Sequence, residues 1–173
     1  DQLAISYYKS FELPVKIVCP FNTYGPRQSA RAIIPTIISQ LLNGKNTIEL
    51  GNLSPTRDLT YVMDTCKGFL DIYNSDLLYG EITNIGMNTE ISIGGLVELI
   101  AKLMKVDITI DSSEERIRPE NSEVERLVCD NSKLLKHTQW KPRYTLEQGI
   151  NEVIEWMKNP KNLSIYKSGQ YNV

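Results

Sequence analysis

The sequence predicts an α/β fold in which parallel strands alternate with helices. Two observations lead to this prediction: short apolar runs rich in β-branched residues recur along the chain, and segments with helical periodicity separate them. The composition suits a folded chain, since 41% of the 173 residues are hydrophobic and 23% are charged, as in average globular proteins. No internal repeat is evident, and the length suits a domain of ordinary size.

A helix and a strand are expected first. The segment "DQLAISYYKSF" places Leu3, Tyr7 and Phe11 on one helical stripe, and Pro14 closes the segment. The run "VKIVC" is short, apolar and β-branched, and prolines bound it on both sides, which suits a buried strand.

The clearest helix comes next, with Pro35 in its first turn and Gly44 just after its end. Its apolar residues follow the helical spacing: Ile33, Ile34, Ile37, Ile38, Leu41 and Leu42. The runs "TIEL" and "DLTYVM" are then expected as strands. Asp64 is expected to cap the following helix, which carries Cys66, Phe69, Leu70 and Tyr73.

The alternation continues to the C-terminal part. "EITNIG" and "DITI" are expected as strands, and Ser92 is expected to cap a helix between them. Residues 112–125 are charged and lack a pattern, so we expect a loop there. Asp130 is expected to cap a short helix, and Thr145 with Gln148 has capping-box spacing ahead of the last long helix. The last dozen residues are expected to form a loose tail.

Charge and cysteine content argue against several classes of function. A net charge of −2 gives no overall attraction to nucleic acid or to an anionic membrane, so neither is expected as a partner. Cys19, Cys66 and Cys129 are widely spaced and odd in number, which fits neither a disulfide framework nor a zinc site and indicates a reducing cytoplasm. The single histidine, His137, has no evident partner for a catalytic or metal-binding role. No apolar run is long enough to span a bilayer.

The segment "CPFNTYGPRQ" directly follows the first predicted strand. Ligands bind beyond the carboxyl ends of strands in open α/β sheets, so a binding site is expected in such a loop. Asn22, Tyr24 and Arg27 supply polar groups, and Gly25 permits a close backbone approach. The alternative is an ordered connection whose polar groups satisfy only its own backbone.

Arginines form the second candidate group. Arg57 stands at the start of the strand in "SPTRDLTYVMD", and Arg118 lies in the charged segment "RIRPENSEVERL". Two guanidinium groups that converge could bind a diphosphate through paired hydrogen bonds. Taken alone, Arg57 is more typical of a surface ion-pair partner, and a charged run of this kind is usually a solvated face.

Five segments in order resemble one family. "PFNTYGPRQ", "AIIPTIISQLLNG", "GNLSPTRDLTYVMD", "TNIG" and "RPENSEVERLVCDNSKLLKHTQWKP" resemble the C-terminal half of the extended short-chain dehydrogenase/reductases that act on nucleotide sugars, and most of all the bacterial 4,6-dehydratases. The resemblance implies a Rossmann-type parallel sheet at residues 1–30 and 60–90. It implies a small α/β substrate-binding lobe at 31–59 and 91–160, followed by a tail at 161–173.

The resemblance also implies roles for single residues. Pro20 and Phe21 match a turn that lies against the nicotinamide of NAD, and Asn22 matches a contact to the phosphates of the nucleotide sugar. Arg57 and Arg118 match two arginines that clamp the diphosphate. The residues matched to the nucleotide's base and nucleoside are Ile33, Ile34, Pro35, Glu49, Leu50, Gly51 and Asn84.

Two features of the resembled family have no counterpart in the sequence. None of the ten glycines has the spacing of a dinucleotide-binding turn, and no tyrosine has a lysine four residues after it to act as its catalytic partner. The resemblance places both features before Asp1, so we expect the N-terminal dinucleotide-binding part to be absent. No catalytic or metal-binding residue is therefore assigned, and the chain alone is expected to be inactive.

The sequence thus predicts the substrate-binding half of an NAD-dependent nucleotide-sugar 4,6-dehydratase. Such an enzyme oxidises the sugar at C4, eliminates water and returns the hydride, and the resemblance implies a homodimer for the whole enzyme. A nucleotide-sugar 4-epimerase of the same family and a non-catalytic nucleotide-sugar-binding module remain as alternatives.

Overall fold

The computed structural model describes residues 1–112 and 124–166 as alternating helices and strands. The helices are α1 (Gln2–Phe11), α2 (Ile33–Leu42), α3 (Val62–Asn74), α4 (Ile93–Met104), α5 (Ser132–His137), α6 (Leu146–Lys158) and α7 (Pro160–Leu163). The strands are β1 (Ile17–Pro20), β2 (Asn22–Tyr24), β3 (Thr47–Leu50), β4 (Thr56–Arg57), β5 (Leu59–Tyr61), β6 (Ile82–Ile85), β7 (Ile91–Ser92), β8 (Thr109–Ser112) and β9 (Arg126–Leu127). The predicted α/β class with parallel strands is confirmed.

The chain forms two compact units. Unit 1 consists of residues 1–23, 58–90 and 128–144, and unit 2 contains the described residues 24–57, 91–112, 124–127 and 145–166. The segment 128–144 packs in unit 1, whereas the sequence analysis assigned it to the lobe.

Unit 1 is built around a parallel pair of strands. β1 pairs with β6 in a register that runs from Ile17 opposite Ile82 to Pro20 opposite Ile85, and β2 pairs with β5. Helices α3 and α5 contact this part of the unit. Its buried cluster consists of Ile72, Leu78, Ile85, Leu134 and Trp140, with Val18 and Met87 packed against it. Because two of these residues belong to 128–144, that segment is part of the core of unit 1.

The described part of unit 2 contains three long helices, the short helix α7 and two small sheets. α2, α4 and α6 pack on one another through apolar faces that are almost fully buried. β3 pairs in parallel with β8, with Thr47 opposite Thr109. In the other sheet, β4 lies between β7, to which it is antiparallel, and β9, to which it is parallel.

Two predicted helix caps are confirmed and two are displaced. The Ser92 hydroxyl accepts a hydrogen bond from the Gly95 N–H at 3.0 Å, and Thr145 forms a complete capping box with Gln148. Asp64 instead lies inside the first turn of α3, whose cap is Tyr61. The cap of α5 is Asn131 rather than Asp130, although the Asp130 carboxylate accepts a hydrogen bond from the Ser132 N–H at 2.9 Å.

Several short elements differ from the sequence-based expectation. The predicted strand "DLTYVM" ends at Tyr61, because α3 begins at Val62. Part of the predicted loop after β1 forms β2, and β7 and β9 were not anticipated. β8 extends to Ser112, and the rest of the predicted charged loop lies largely outside the described residues.

The segment after α6 is packed rather than loose as far as it is described. It continues into α7, and Tyr166 is only 6% exposed. The Tyr166 hydroxyl donates to the Gln28 carbonyl oxygen at 2.8 Å, and its ring meets the edge of Trp156. The prediction of a loose tail is therefore wrong for residues 161–166, and residues 167–173 lie outside the described part.

Apolar side chains remain exposed on two helices of unit 1. α1 has no buried residue, and Leu3 and Phe11 of its predicted stripe are 71% and 72% exposed. α3 buries Thr65, Gly68 and Ile72, while its predicted apolar residues Cys66, Phe69, Leu70 and Tyr73 are exposed. Over the described residues, none of these or the other helices has the length and hydropathy needed to cross a membrane.

Candidate functional site

The carboxyl ends of β1 and β6 bring three predicted site residues of unit 1 together. The register places Pro20 opposite Ile85 and the preceding Cys19 opposite Asn84. The Phe21 N–H donates to the Ile85 carbonyl oxygen at 2.9 Å, which extends the ladder beyond Pro20. The turn at Pro20 and Phe21 therefore lies beside Asn84, at the sheet edge where α/β proteins bind ligands.

Asn22 and Asn84 are both half-buried and both donate to backbone carbonyl groups. Asn22 lies in β2 rather than in a loop, and its Nδ2 donates to the Asp58 carbonyl oxygen at 3.3 Å. The Nδ2 of Asn84 donates to the Asp130 carbonyl oxygen at 3.4 Å. Each amide side chain therefore has a defined direction, which a binding residue requires.

Asp58 is a buried carboxylate that the sequence analysis did not identify. It is fully buried, and its Oδ1 accepts the Met87 N–H at 2.8 Å. Its Oδ2 accepts the Asn88 N–H at 2.8 Å and the Cys129 N–H at 3.1 Å. The sequence offered one signal, an acidic residue directly after Arg57 at the start of an apolar strand, but its partners are distant in the chain.

Burial and neighbouring charge make Cys129 a poor nucleophile. The side chain is fully buried, and burial is the main cause that raises the pKa of its thiol to about 12. The carboxylates of Asp58 and Asp130 raise this pKa further because they disfavour a nearby thiolate. In the residues that the structure describes, no group of three or more His, Cys, Asp or Glu side chains could hold a metal ion.

In unit 2, the predicted base-binding residues lie at the start of α2 and the end of β3. Ile34, Pro35 and Leu50 are buried, so their side chains belong to the core. The half-buried residues of this group are Ile33, Glu49 and Gly51. The structure thus brings these predicted residues into one unit but leaves only part of them accessible.

Gln40 connects α2 to β3 and was also missed. It is 1% exposed, its Oε1 accepts the Glu49 N–H at 3.1 Å, and its Nε2 donates to the Glu49 carbonyl oxygen at 3.4 Å. The side-chain amide of Gln40 therefore forms the pair of hydrogen bonds that a neighbouring strand would form, and it fixes the backbone at Glu49. No local sequence pattern predicts this pairing, because it depends on how the helix packs.

Arg57 lies in β4, the middle strand of its sheet. Its guanidinium NH1 donates to the Thr56 carbonyl oxygen at 2.8 Å and to the Val124 carbonyl oxygen at 2.6 Å. The Thr56 N–H donates to the Glu125 carbonyl oxygen at 2.8 Å, so residues 124 and 125 lie beside Arg57. Arg118, its predicted partner, lies outside the described residues.

The chain is similar to known nucleotide-sugar enzymes. The family model described as GDP-mannose 4,6 dehydratase matches residues 1–153. The dTDP-D-glucose 4,6-dehydratase of Mus musculus is 29% identical over 170 residues, which are 95% of this chain and 46% of that protein.

Solved structures agree with this similarity. The dTDP-glucose 4,6-dehydratase of Bacillus anthracis, solved in complex with NAD, has a TM-score of 0.78 and 30% identity over 94% of this chain and 50% of its own. The UDP-glucuronic acid 4-epimerase of Bacillus cereus, in complex with UDP-glucuronic acid and NAD, has a TM-score of 0.80 and 26% identity over 91% of this chain and 49% of its own.

The chain spans about half the length of the relatives that it matches. The similarity covers nearly all of the chain and both units, and the shared fold is the Rossmann-type fold of these enzymes. The chain belongs to the GDP-mannose 4,6 dehydratase family.

Proposed function

We propose that this chain is the substrate-binding half of an NAD-dependent nucleotide-sugar 4,6-dehydratase. The family match over residues 1–153 is the observation that carries this proposal, and a dTDP-glucose dehydratase is among the most similar relatives. The predicted contribution of the chain is to bind the nucleotide and its diphosphate. Chemistry at the sugar is assigned to residues that this sequence does not contain.

The diphosphate is proposed to bind to Arg57 and Arg118. Arg57 is held by the Val124 carbonyl oxygen at 2.6 Å, and Val124 follows Arg118 by six residues. Val124 and Glu125 therefore lie next to Arg57, and Val124 is the first described residue after the segment that carries Arg118, which supports a shared ligand. Guanidinium groups are suited to this task because they stay charged and form paired hydrogen bonds to phosphate.

NAD would supply the hydride-transfer chemistry in the whole enzyme. The residues of this chain fit only one end of that cofactor. Pro20 and Phe21 form a turn at the strand ends that suits the nicotinamide, and Pro20 is exposed. Glycine spacing suited to the cofactor's pyrophosphate is absent from the sequence, so this chain alone is not proposed to hold NAD.

A 4-epimerase is the second candidate. The Bacillus cereus UDP-glucuronic acid 4-epimerase matches the fold as well as the dehydratase does, with a TM-score of 0.80. The residues that distinguish the two reactions are expected near a catalytic tyrosine that this sequence lacks. A non-catalytic nucleotide-sugar-binding module is the third possibility, and it would use the same arginines.

A cytoplasmic location and a homodimer for the whole enzyme are further parts of the proposal. Cys19, Cys66 and Cys129 are all free thiols, which suits a reducing compartment. Sedimentation of a polypeptide that also includes the family's dinucleotide-binding part would test the dimer. A monomer at every protein concentration would contradict it.

Calorimetric titration tests the proposed diphosphate site. The full chain is titrated with dTDP-glucose, UDP-N-acetylglucosamine and GDP-mannose, because its base preference is open. We expect at least one to bind, and Arg57→Ala and Arg118→Ala each to weaken that binding at least tenfold, as expected for loss of a charge-assisted contact of about 1.5–3 kcal/mol. The affinities also rank the three bases.

Arg31→Ala is the matched control, since Arg31 is an exposed arginine in unit 2 that has no predicted ligand role. This variant should bind as the wild type does. Equal affinities in the wild type, Arg57→Ala and Arg118→Ala would contradict the arginine site. Binding by none of the three nucleotide sugars would contradict the proposed function as a whole.

A further inference from the structure

The chain passes from one unit to the other at five points, called passages here. Two buried carboxylates accept hydrogen bonds from the unit 1 backbone near these passages. The passages follow residues 23, 57, 90, 127 and 144. Asp58 and Asp64 are 0% and 1% exposed, and both belong to unit 1. The backbone N–H groups that their carboxylates accept all lie within three residues of one of these passages.

Asp58 lies at one of the five passages and forms hydrogen bonds with residues next to three others. It is the first residue of unit 1 after the passage that follows Arg57. Its carboxylate accepts the N–H groups of Met87 and Asn88, just before the third passage, and of Cys129, just after the fourth. Its carbonyl oxygen accepts the side-chain amide of Asn22, just before the first.

Asp64 accepts hydrogen bonds from residues next to the fifth passage, which follows residue 144. Its Oδ1 accepts the Arg143 N–H and its Oδ2 accepts the Tyr144 N–H, each at 3.0 Å. Its carbonyl oxygen accepts the indole N–H of Trp140 at 2.9 Å, which joins the same segment to the start of α3. None of the residues that Asp64 holds is a predicted ligand contact.

Asp58, by contrast, is linked to three predicted ligand residues, either directly or through one short backbone segment. Arg57 precedes it in the chain, and Asn22 donates to its carbonyl oxygen. Asn84 donates to the Asp130 carbonyl oxygen, and Asp130 directly follows Cys129, whose N–H the Asp58 carboxylate accepts. Within unit 1, the positions of the Asn22 and Asn84 side chains therefore depend on backbone that Asp58 fixes.

A carboxylate suits this task better than a neutral side chain. Its two oxygens accept several N–H groups at once, and these bonds offset the cost of burying the charge. Asn88 also has a left-handed backbone conformation, with φ of 55°, which asparagine adopts more readily than most non-glycine residues. The Asp58 bond to its N–H helps to hold this conformation.

We propose that Asp58 is a positioning residue for nucleotide-sugar binding, whereas Asp64 is an anchor without influence on the ligand. Within unit 1, Asp58 fixes the segments from which Asn22 and Asn84 extend, and it does not itself contact the ligand. This inference rests on the proposed function for its ligand, while the hydrogen bonds that carry it are independent of that function.

The test compares two isosteric variants of the full chain, Asp58→Asn and Asp64→Asn. Each replaces one carboxylate oxygen by an amide donor that faces N–H groups, so each loses buried acceptors of the same kind. Calorimetry measures affinity for whichever of dTDP-glucose, UDP-N-acetylglucosamine and GDP-mannose binds best to the wild type. The rate of amide hydrogen exchange, measured by NMR for each residue, reports how readily the local backbone opens.

For Asp58→Asn we expect at least tenfold weaker binding and at least tenfold faster exchange at Met87, Asn88 and Cys129. For Asp64→Asn we expect faster exchange at Arg143 and Tyr144 with affinity within twofold of the wild type. Asp130→Asn is a second control, because the Asp130 carboxylate is exposed and accepts hydrogen bonds from nearby Ser132. It should leave the affinity unchanged.

Any of the following results would overturn the inference: unchanged exchange at those amides in Asp58→Asn, unchanged affinity in that variant, or an equal loss of affinity in Asp64→Asn. Faster exchange throughout Asp58→Asn would also overturn it, since the residue would then serve general stability. A wild type that binds no nucleotide sugar would contradict the proposed function, and the exchange rates alone would then decide whether Asp58 holds these segments.

Discussion

Polar side chains at the candidate site are oriented chiefly by backbone groups. Asn22 and Asn84 donate to carbonyl oxygens, Arg57 does the same, and Gln40 pairs with the backbone of Glu49. Backbone positions are set by the fold as a whole, so these bonds make the direction of each side chain depend on the fold. A substitution at a neighbouring residue can preserve such bonds if the backbone does not move.

At the scale of a single residue, we predict that the thiol of Cys129 is unreactive in the folded protein. Burial raises the pKa of its thiol to about 12, so at pH 8 only about one molecule in 10⁴ carries the reactive thiolate. Cys66 is exposed. We expect iodoacetamide at pH 8 to modify Cys66 readily in the folded protein and to leave Cys129 unmodified, as read by peptide mass spectrometry.

Denaturing guanidinium chloride provides the control, because it exposes all three thiols and should allow Cys129 to react. The Cys66→Ala variant should lose the fast reaction of the folded protein. Its Cys129 should still react in guanidinium chloride. Modification of Cys129 at the rate of Cys66 in the folded protein would contradict the buried environment described for it.

Helices α2, α4 and α6 could be predicted from the sequence because their apolar periodicity is long and their ends have local signals. Ser92 and Thr145 accept hydrogen bonds from residues only three positions away, so spacing alone identifies them. β2, β7 and β9 could not be predicted. They contain two or three residues each, and what makes them strands is a pairing partner far along the chain.

Thr145 allows a test of the capping box at the start of α6. Its hydroxyl accepts the Gln148 N–H at 3.2 Å, and the Gln148 side chain accepts the Thr145 N–H at 2.9 Å. Thr145→Ala should lower the free energy of unfolding by about 1 kcal/mol, because the first turn of the helix loses an acceptor. Urea denaturation followed by circular dichroism measures this change.

Thr145→Ser is the matched variant, since serine keeps the hydroxyl group and is at least as good a cap. It should unfold within about 0.5 kcal/mol of the wild type, as surface substitutions usually do. If the serine and alanine variants lost the same stability, the hydroxyl group would not be the cause.

At the scale of the whole molecule, the order of motifs predicted the family, while the connections within unit 1 could not be predicted. Arg57 and Asn22 were predicted as ligand contacts because they resemble residues of known enzymes. Asp58 and Asp64 were missed as anchors, although both stand in "RDLTYVMD", because the N–H groups that their carboxylates accept lie 29 to 80 residues further along the chain. A sequence pattern can indicate a buried acid, but only packing identifies the N–H groups that it accepts.

The catalytic capacity of this polypeptide can be tested directly. We expect the purified chain, supplied with NAD and dTDP-glucose, to form no 4-keto-6-deoxy sugar nucleotide, as measured by mass spectrometry. None of its tyrosines has a lysine four residues later, so the pair that would lower a tyrosine's pKa for proton transfer is missing. A full-length dTDP-glucose 4,6-dehydratase serves as the positive control under identical conditions. Turnover by the chain alone would show that some other residue moves the proton, and the proposal that it supplies only substrate binding would be wrong.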